Sequence, residues 1–333
     1  MWTLLAFISA LCLGFYDVSK KIALRDNRVI DVLTLSVIFS SLILSVPLIL
    51  SRLCPELLFD TPFFVPKMDL QAHLFTLLKS AIVLSSWVFA FISLKHLPIS
   101  VVSPMQATRP IWTLIGALLI FDEHLNPWQW AGVLLTIITI FVFSFKGKSS
   151  IKNQLSISNK SSIINIQSQI TNNKYYISLV LAILIGACSG LYDKYLMRRF
   201  DHNAVQVYYT FYQALMMLIA WFIMNRSELG ARKCNKSLLL TPSAKRSIFS
   251  LSKRSLLPII LISVFLVISD NLYMLALSYP DSMIAVVSTI RRGGTIIGFA
   301  YGLLFLKEPD PVRKILCMSG IFLALIFLAL GAL

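Results

Sequence analysis

Apolar runs of about 20 residues recur from one end of the chain to the other, and each matches the hydrocarbon thickness of a bilayer. Lipid offers no water to backbone N–H and C=O groups, so runs of this length cross it as helices. Read between charged or Pro-rich breaks, they predict ten helices. These cover about 2–22, 31–51, 74–95, 98–120, 128–145, 176–196, 204–224, 257–277, 282–305 and 313–332. The first run has no basic n-region or small-residue cleavage pattern, and Lys20-Lys21 follow it, so it reads as a span and not a signal peptide. Ten spans consume about 200 residues and leave little for a soluble catalytic domain. Composition agrees: 57% of the 333 residues are apolar and only 14% are charged, where a soluble domain carries about 25%.

The formal charge of +15 raises the question of a nucleic-acid partner. Placement argues against one, since 27 of the 30 Lys and Arg lie in or beside connecting segments and no recognition module is visible. Basic loops instead report orientation and contact with anionic lipid. Loops after odd-numbered spans carry 21 Lys and Arg, span ends included, against six after even-numbered spans. The positive-inside rule therefore predicts both termini outside. The five cysteines (Cys12, Cys54, Cys188, Cys234 and Cys317) have no metal or disulfide spacing, so neither a metal nor another cofactor is expected.

Residues 147–175 are rich in Ser, Asn, Ile, Gln and Lys and read as a flexible connector. On either side of it the chain repeats itself. Gly14-Phe-Tyr16-Asp17 ends the first span and Gly190-Leu-Tyr192-Asp193 ends the sixth. Spans four and nine each carry a mid-helix arginine and then an acid at the far end, Arg109 to Glu123 and Arg292 to Glu308. Five spans per unit is odd, so residues 1–146 and 176–333 would sit in opposite orientations, the inverted-repeat plan of secondary transporters.

In these motifs the chain resembles the drug/metabolite transporter superfamily, in its ten-helix form with two EamA-type halves. The resemblance rests on the Gly-x-Tyr-Asp span ends, Leu94-Lys-His-Leu-Pro98, Arg109-Pro110 ahead of Glu123, and Trp128-Gln-Trp-Ala-Gly132. In the second half it rests on Ile290-Arg-Arg-Gly-Gly294 and Phe305-Leu-Lys-Glu308. It implies an all-α polytopic fold, a substrate cavity between the halves and alternating access. It also implies both termini in the cytoplasm, against the charge count.

Charge at the bilayer centre is costly and is kept for pairing or function. Axial arithmetic at 1.5 Å per residue puts Asp17 within ~9 Å of Arg109, and Asp193 at a similar gap from Arg292. Two quasi-symmetric ion pairs are expected, either structural locks or anion-binding and proton-carrying groups. Asp270, ~20 Å into span eight, has only Ser85, Ser86 and Trp87 at its repeat position. It reads as an unpaired coupling acid, with a bond to Arg291 as the rival. Pro104 and Pro110 predict a bend around Arg109, while Gly293-Gly294 marks either a weak point or a close helix crossing. Gln106, Asn271, Tyr208, Tyr212 and Trp87 complete the substrate-binding candidates.

These residues predict a secondary transporter of small metabolites, in the exporting direction and proton-coupled, multi-pass in the cell membrane, monomeric or homodimeric. A lipid or lipid-linked sugar flippase uses the same scaffold. A polytopic membrane enzyme is the third class. Asp270 lacks the Gly flank of an aspartyl protease, and all four His lie at span ends or in loops, so no enzymatic activity is expected.

Overall fold

A computed structural model describes residues 1–24, 27–59, 61–96, 105, 108–139, 173–234, 256–304 and 311–331. The regular elements among them are helices: α1 (Trp2–Leu24), α2 (Val29–Leu53), α3 (Pro55–Leu58), α4 (Leu70–His96), α5 (Arg109–Phe121), α6 (Asn173–Met197), α7 (His202–Cys234), α8 (Leu256–Ser278), α9 (Ile284–Arg292), α10 (Thr295–Leu304) and α11 (Pro311–Leu330). Residues 127–139 are also helical. Among the described residues six helices are long and apolar enough to cross a membrane: α1, α2, α4, α6, α7 and α8. The connector 147–175 lies outside the described residues except for its last three.

Two expected spans differ in form. Arg109 opens α5, with Pro110 in its first turn, instead of lying mid-helix. Proline suits that position because its missing N–H has no intrahelical partner there. The ninth span is two helices, broken at Gly293-Gly294. There the N–H groups of Gly293 and Gly294 bond three residues back, to Ile290 and Arg291. Both readings of the glycines hold together. A Cβ on Gly294 would fall on the Ala10 carbonyl oxygen, and one on Gly14 would stand 2.6 Å from the Gly294 oxygen. The break is where α1 crosses backbone to backbone.

Packing follows an exchanged order. Helix α1 lies against α8, α4 against α6, α2 against α7, and α1 also against α9 and α10. Hydroxyls stitch these contacts, because apolar surface alone does not drive helices together in lipid. Ser9 donates to the Ser269 carbonyl at 2.8 Å and Ser269 to the Ser9 carbonyl at 2.9 Å. Between α4 and α6, Ser86 donates to the Ala182 carbonyl and Ser178 to the Phe89 carbonyl, each at 2.9 Å. The main buried cluster joins Ala6, Ala10, Leu114, Leu191, Met274 and Ile290, drawn from both ends of the chain.

Candidate functional site

A chain of buried charges runs through the centre. Lys79 on α4 reaches the Asp193 carboxylate on α6 at 2.8 Å and sits 4.4 Å above the Tyr209 ring on α7. The Tyr273 hydroxyl on α8 donates to the other Asp193 oxygen at 3.3 Å. Over the ring of Tyr273, at 4.1 Å, lies the guanidinium of Arg291, which bonds Asp270 at 2.9 Å. Four charges and two rings from five helices thus form one connected path. Rings suit such a path, because a cation over a π face keeps part of its lost solvation.

The path corrects both expected ion pairs. Asp193 pairs with Lys79 and not with Arg292. Asp17 faces Arg291, Arg292 and Lys20 electrostatically, not Arg109. The cause is lateral: α1 packs on α9 and α10 while α5 packs on α6, so equal depth does not make neighbours. Asp270 is not unpaired either; the rival bond to Arg291 is the one present. Its carboxylate still faces a cleft lined also by Ser40, Gln206, Tyr209, Thr210 and Gln213. Buried within that lining, the Gln213 amide nitrogen has no hydrogen-bond partner among the described residues.

Arg109 approaches from the other side. Its guanidinium lies over Gly186 and makes one long bond, 3.5 Å, to the Ala182 carbonyl. Arg292 has both Arg109 and Arg291 within electrostatic reach. Arg109 and Arg292, from distant parts of the chain, thus lie within each other's field. A Cβ at Gly186 would come within 2.5 Å of the Arg109 Cζ. Gly186→Ala should therefore push the guanidinium aside at little cost in stability, because the obstacle is the tip of a flexible side chain. The expected outcome is an unchanged thermal midpoint with transport reduced about tenfold, the worth of one charge-assisted hydrogen bond. Undiminished transport would show that the position of Arg109 is immaterial.

Other candidates sit elsewhere. Asn271 donates to Asn203 at 2.9 Å and to Gln206 at 2.8 Å, so its amide bolts α8 to α7. Tyr212 shares a 2.9 Å hydrogen bond with His73, whose ring also meets Tyr208 edge-on at 4.4 Å. Arg52 donates to the Tyr208 hydroxyl at 3.3 Å and to the Val65 and Pro66 carbonyls, which ties this cluster to the 59–69 segment. Trp87 is half-buried on α4, and Gln106 lies outside the described residues. Sequence reasoning missed Lys79 and Lys194, counted as loop charges although both are buried. The available signal was position: Lys79 stands inside a predicted span, and Lys194 directly follows Asp193.

Residues 1–145 match the EamA-like transporter family. That match covers the first of the two expected five-helix segments. The matched family is one of membrane transporters of the drug/metabolite type, and six helices among the described residues are long and apolar enough to cross a membrane. A crystal structure of another protein shares the fold of this chain, with a TM-score of 0.64 at 10% identity, over 99% of this chain and 96% of that one. No curated protein sequence matches significantly.

Proposed function

We propose that the chain is a secondary transporter that moves small metabolites out of the cell by alternating access, with proton coupling through Asp270. The observation that carries this reading is a cleft that holds Asp270, with Arg291 bonded to that carboxylate and Arg292 within electrostatic reach of Arg109. Groups from distant parts of the chain meet there, as a midplane site between two repeats requires. The exchanged packing supports two five-helix halves, 1–146 and 176–333, joined by 147–175. Under an inverted repeat, α1 on α8 and α6 on α4 are the same contact made twice, as are α1 on α9 and α6 on α5. The substrate is a small molecule, met from the bilayer of the cell membrane by a monomer or homodimer without cofactor or nucleic acid.

Loop charge supports an orientation with both termini outside. With buried Lys79 and Lys194 removed from the count of six, four basic residues remain after even-numbered spans, against 21 after odd-numbered ones.

Asp270→Asn tests the coupling. The variant keeps the shape of the side chain, and Arg291 keeps Tyr273 beneath it, so folding should persist. Reconstituted uptake that responds to a pH gradient in the parent should lose that response. A folded Asp270→Asn protein with unchanged pH-dependent transport would remove Asp270 from the mechanism.

A further inference from the structure

One buried acid has no part in the site above. Asp122 follows α5 in the left-handed conformation, at φ 51°, and turns the next residue, Glu123, into the interior. The Glu123 side chain is 3% exposed and its partner Lys194, on α6, 1%. One carboxylate oxygen accepts from Lys194 Nζ at 2.5 Å and from the Ile284 N–H at 2.6 Å. The other accepts from the Ala285 N–H at 3.2 Å. Lys194 also donates to the Ser282 carbonyl at 2.6 Å. Ile284 and Ala285 open α9, whose N-cap residue, Met283, makes no side-chain cap. The orphan N–H groups of the helix start are satisfied instead by an acid 161 residues away in sequence.

Helix α9 has nine residues, and its last two are Arg291 and Arg292. It is a short rigid arm, held by Glu123 at one end and carrying the arginines ~10 Å further along. Beyond them the backbone turns at Gly293-Gly294, where Gly294 is pinned on the Ala10 carbonyl. The arm thus has a pivot on α1, a charged fastening to α5 and α6 at its start, and the Arg291–Asp270 pair to α8 near the pivot.

We propose that Glu123 and Lys194 are the latch that keeps α9 shut on this face of the protein. The face opens when Glu123 leaves the α9 N-terminus and the arm swings about Gly293-Gly294, its start moving furthest while Arg291 and Arg292, next to the pivot, turn in place. The reading rests on the transport site proposed above, since it gives those arginines two orientations. An interior acid tied to two N–H groups and one ammonium is a two-state fastening: it is closed with all three bonds made, or it must find water.

The test needs no substrate. His124 and Asp281 are exposed and flank the latch. Spin labels at these two positions, in the full chain with its native cysteines changed to serine, report the separation of the two sides. The parent should give one short distance. Glu123→Gln should add a longer population, raised about tenfold, with α1 still docked and the thermal midpoint lowered, because Lys194 loses its counter-charge. Should Glu123→Gln not fold, Lys194→Arg retains the charge and overfills the pair, and the same longer population is expected. A single unchanged distance in whichever variant folds, with only the midpoint lowered, would reduce the pair to a structural tie and overturn the proposal. An opened latch in a protein that moves no solute would leave the latch standing and sink the transport reading alone.

Discussion

Lys79→Met should destabilise the protein by about 3–5 kcal/mol, the cost of leaving a buried carboxylate without its counter-charge. Lys79 is 3% exposed and Asp193 11%, so neither has water to fall back on. In the variant, Asp193 retains only the Tyr273 hydroxyl, which is a weak substitute for an ammonium. The loss should also propagate. Tyr273 carries Arg291 on its ring, so a shift at Asp193 is felt at Asp270. Adding Asp193→Asn to Lys79→Met removes the orphaned charge and should return part of the stability. Unfolding of the two single variants and the double variant measures this directly. Strictly additive losses would mean that the charges do not interact.

Gly294→Val should be damaging by a different route. Its Cβ would land on the Ala10 carbonyl oxygen, and the Gly14 nitrogen stands 3.1 Å away. Both obstacles are backbone, so no rotamer change relieves them and α1 must retreat from the α9–α10 junction. Overpacking of a tight core costs about 1–3 kcal/mol, and here the crossing itself is also lost. Gly298 is the matched control on α10, because nothing lies within 4 Å of the position its Cβ would take. Gly298→Val should be close to neutral in thermal midpoint. Equal effects at the two positions would show that helix propensity, and not the crossing, is being measured.

The contrast between what was legible and what was not has a simple physical form. Apolar runs of bilayer length declare membrane helices, and a Gly-Gly pair declares where one of them yields. Depth in the membrane is also readable, at 1.5 Å per residue. Lateral neighbours are not. Asp17 and Arg109 have compatible depths, but α1 turns toward α8 and α9, a choice made by Ser9, Gly14 and Gly294 and not by hydropathy. Asn271 has the chemistry of a ligand-binding amide, yet Asn203 and Gln206 occupy it. Tyr208 and Tyr212 do share a helix face, and that face meets His73. Glu123 could be placed at the far end of its span, but its partners are Lys194 and two backbone N–H groups, and the latter leave no mark in sequence. The likeness of residues 1–145 to the EamA-like family was readable because motif order survives where contacts cannot be inferred.

The reciprocal serine bonds have a consequence for how such a protein can move. Ser9 and Ser269 each hold a carbonyl of the other's helix, and Ser86 and Ser178 do the same between α4 and α6. In hydrocarbon a broken bond of this kind finds no water to replace it. Each stitched couple takes one helix from the early part of the chain and one from the late part. Each couple, α1 with α8 and α4 with α6, should therefore move as one body, whichever way the two ends of the chain shift.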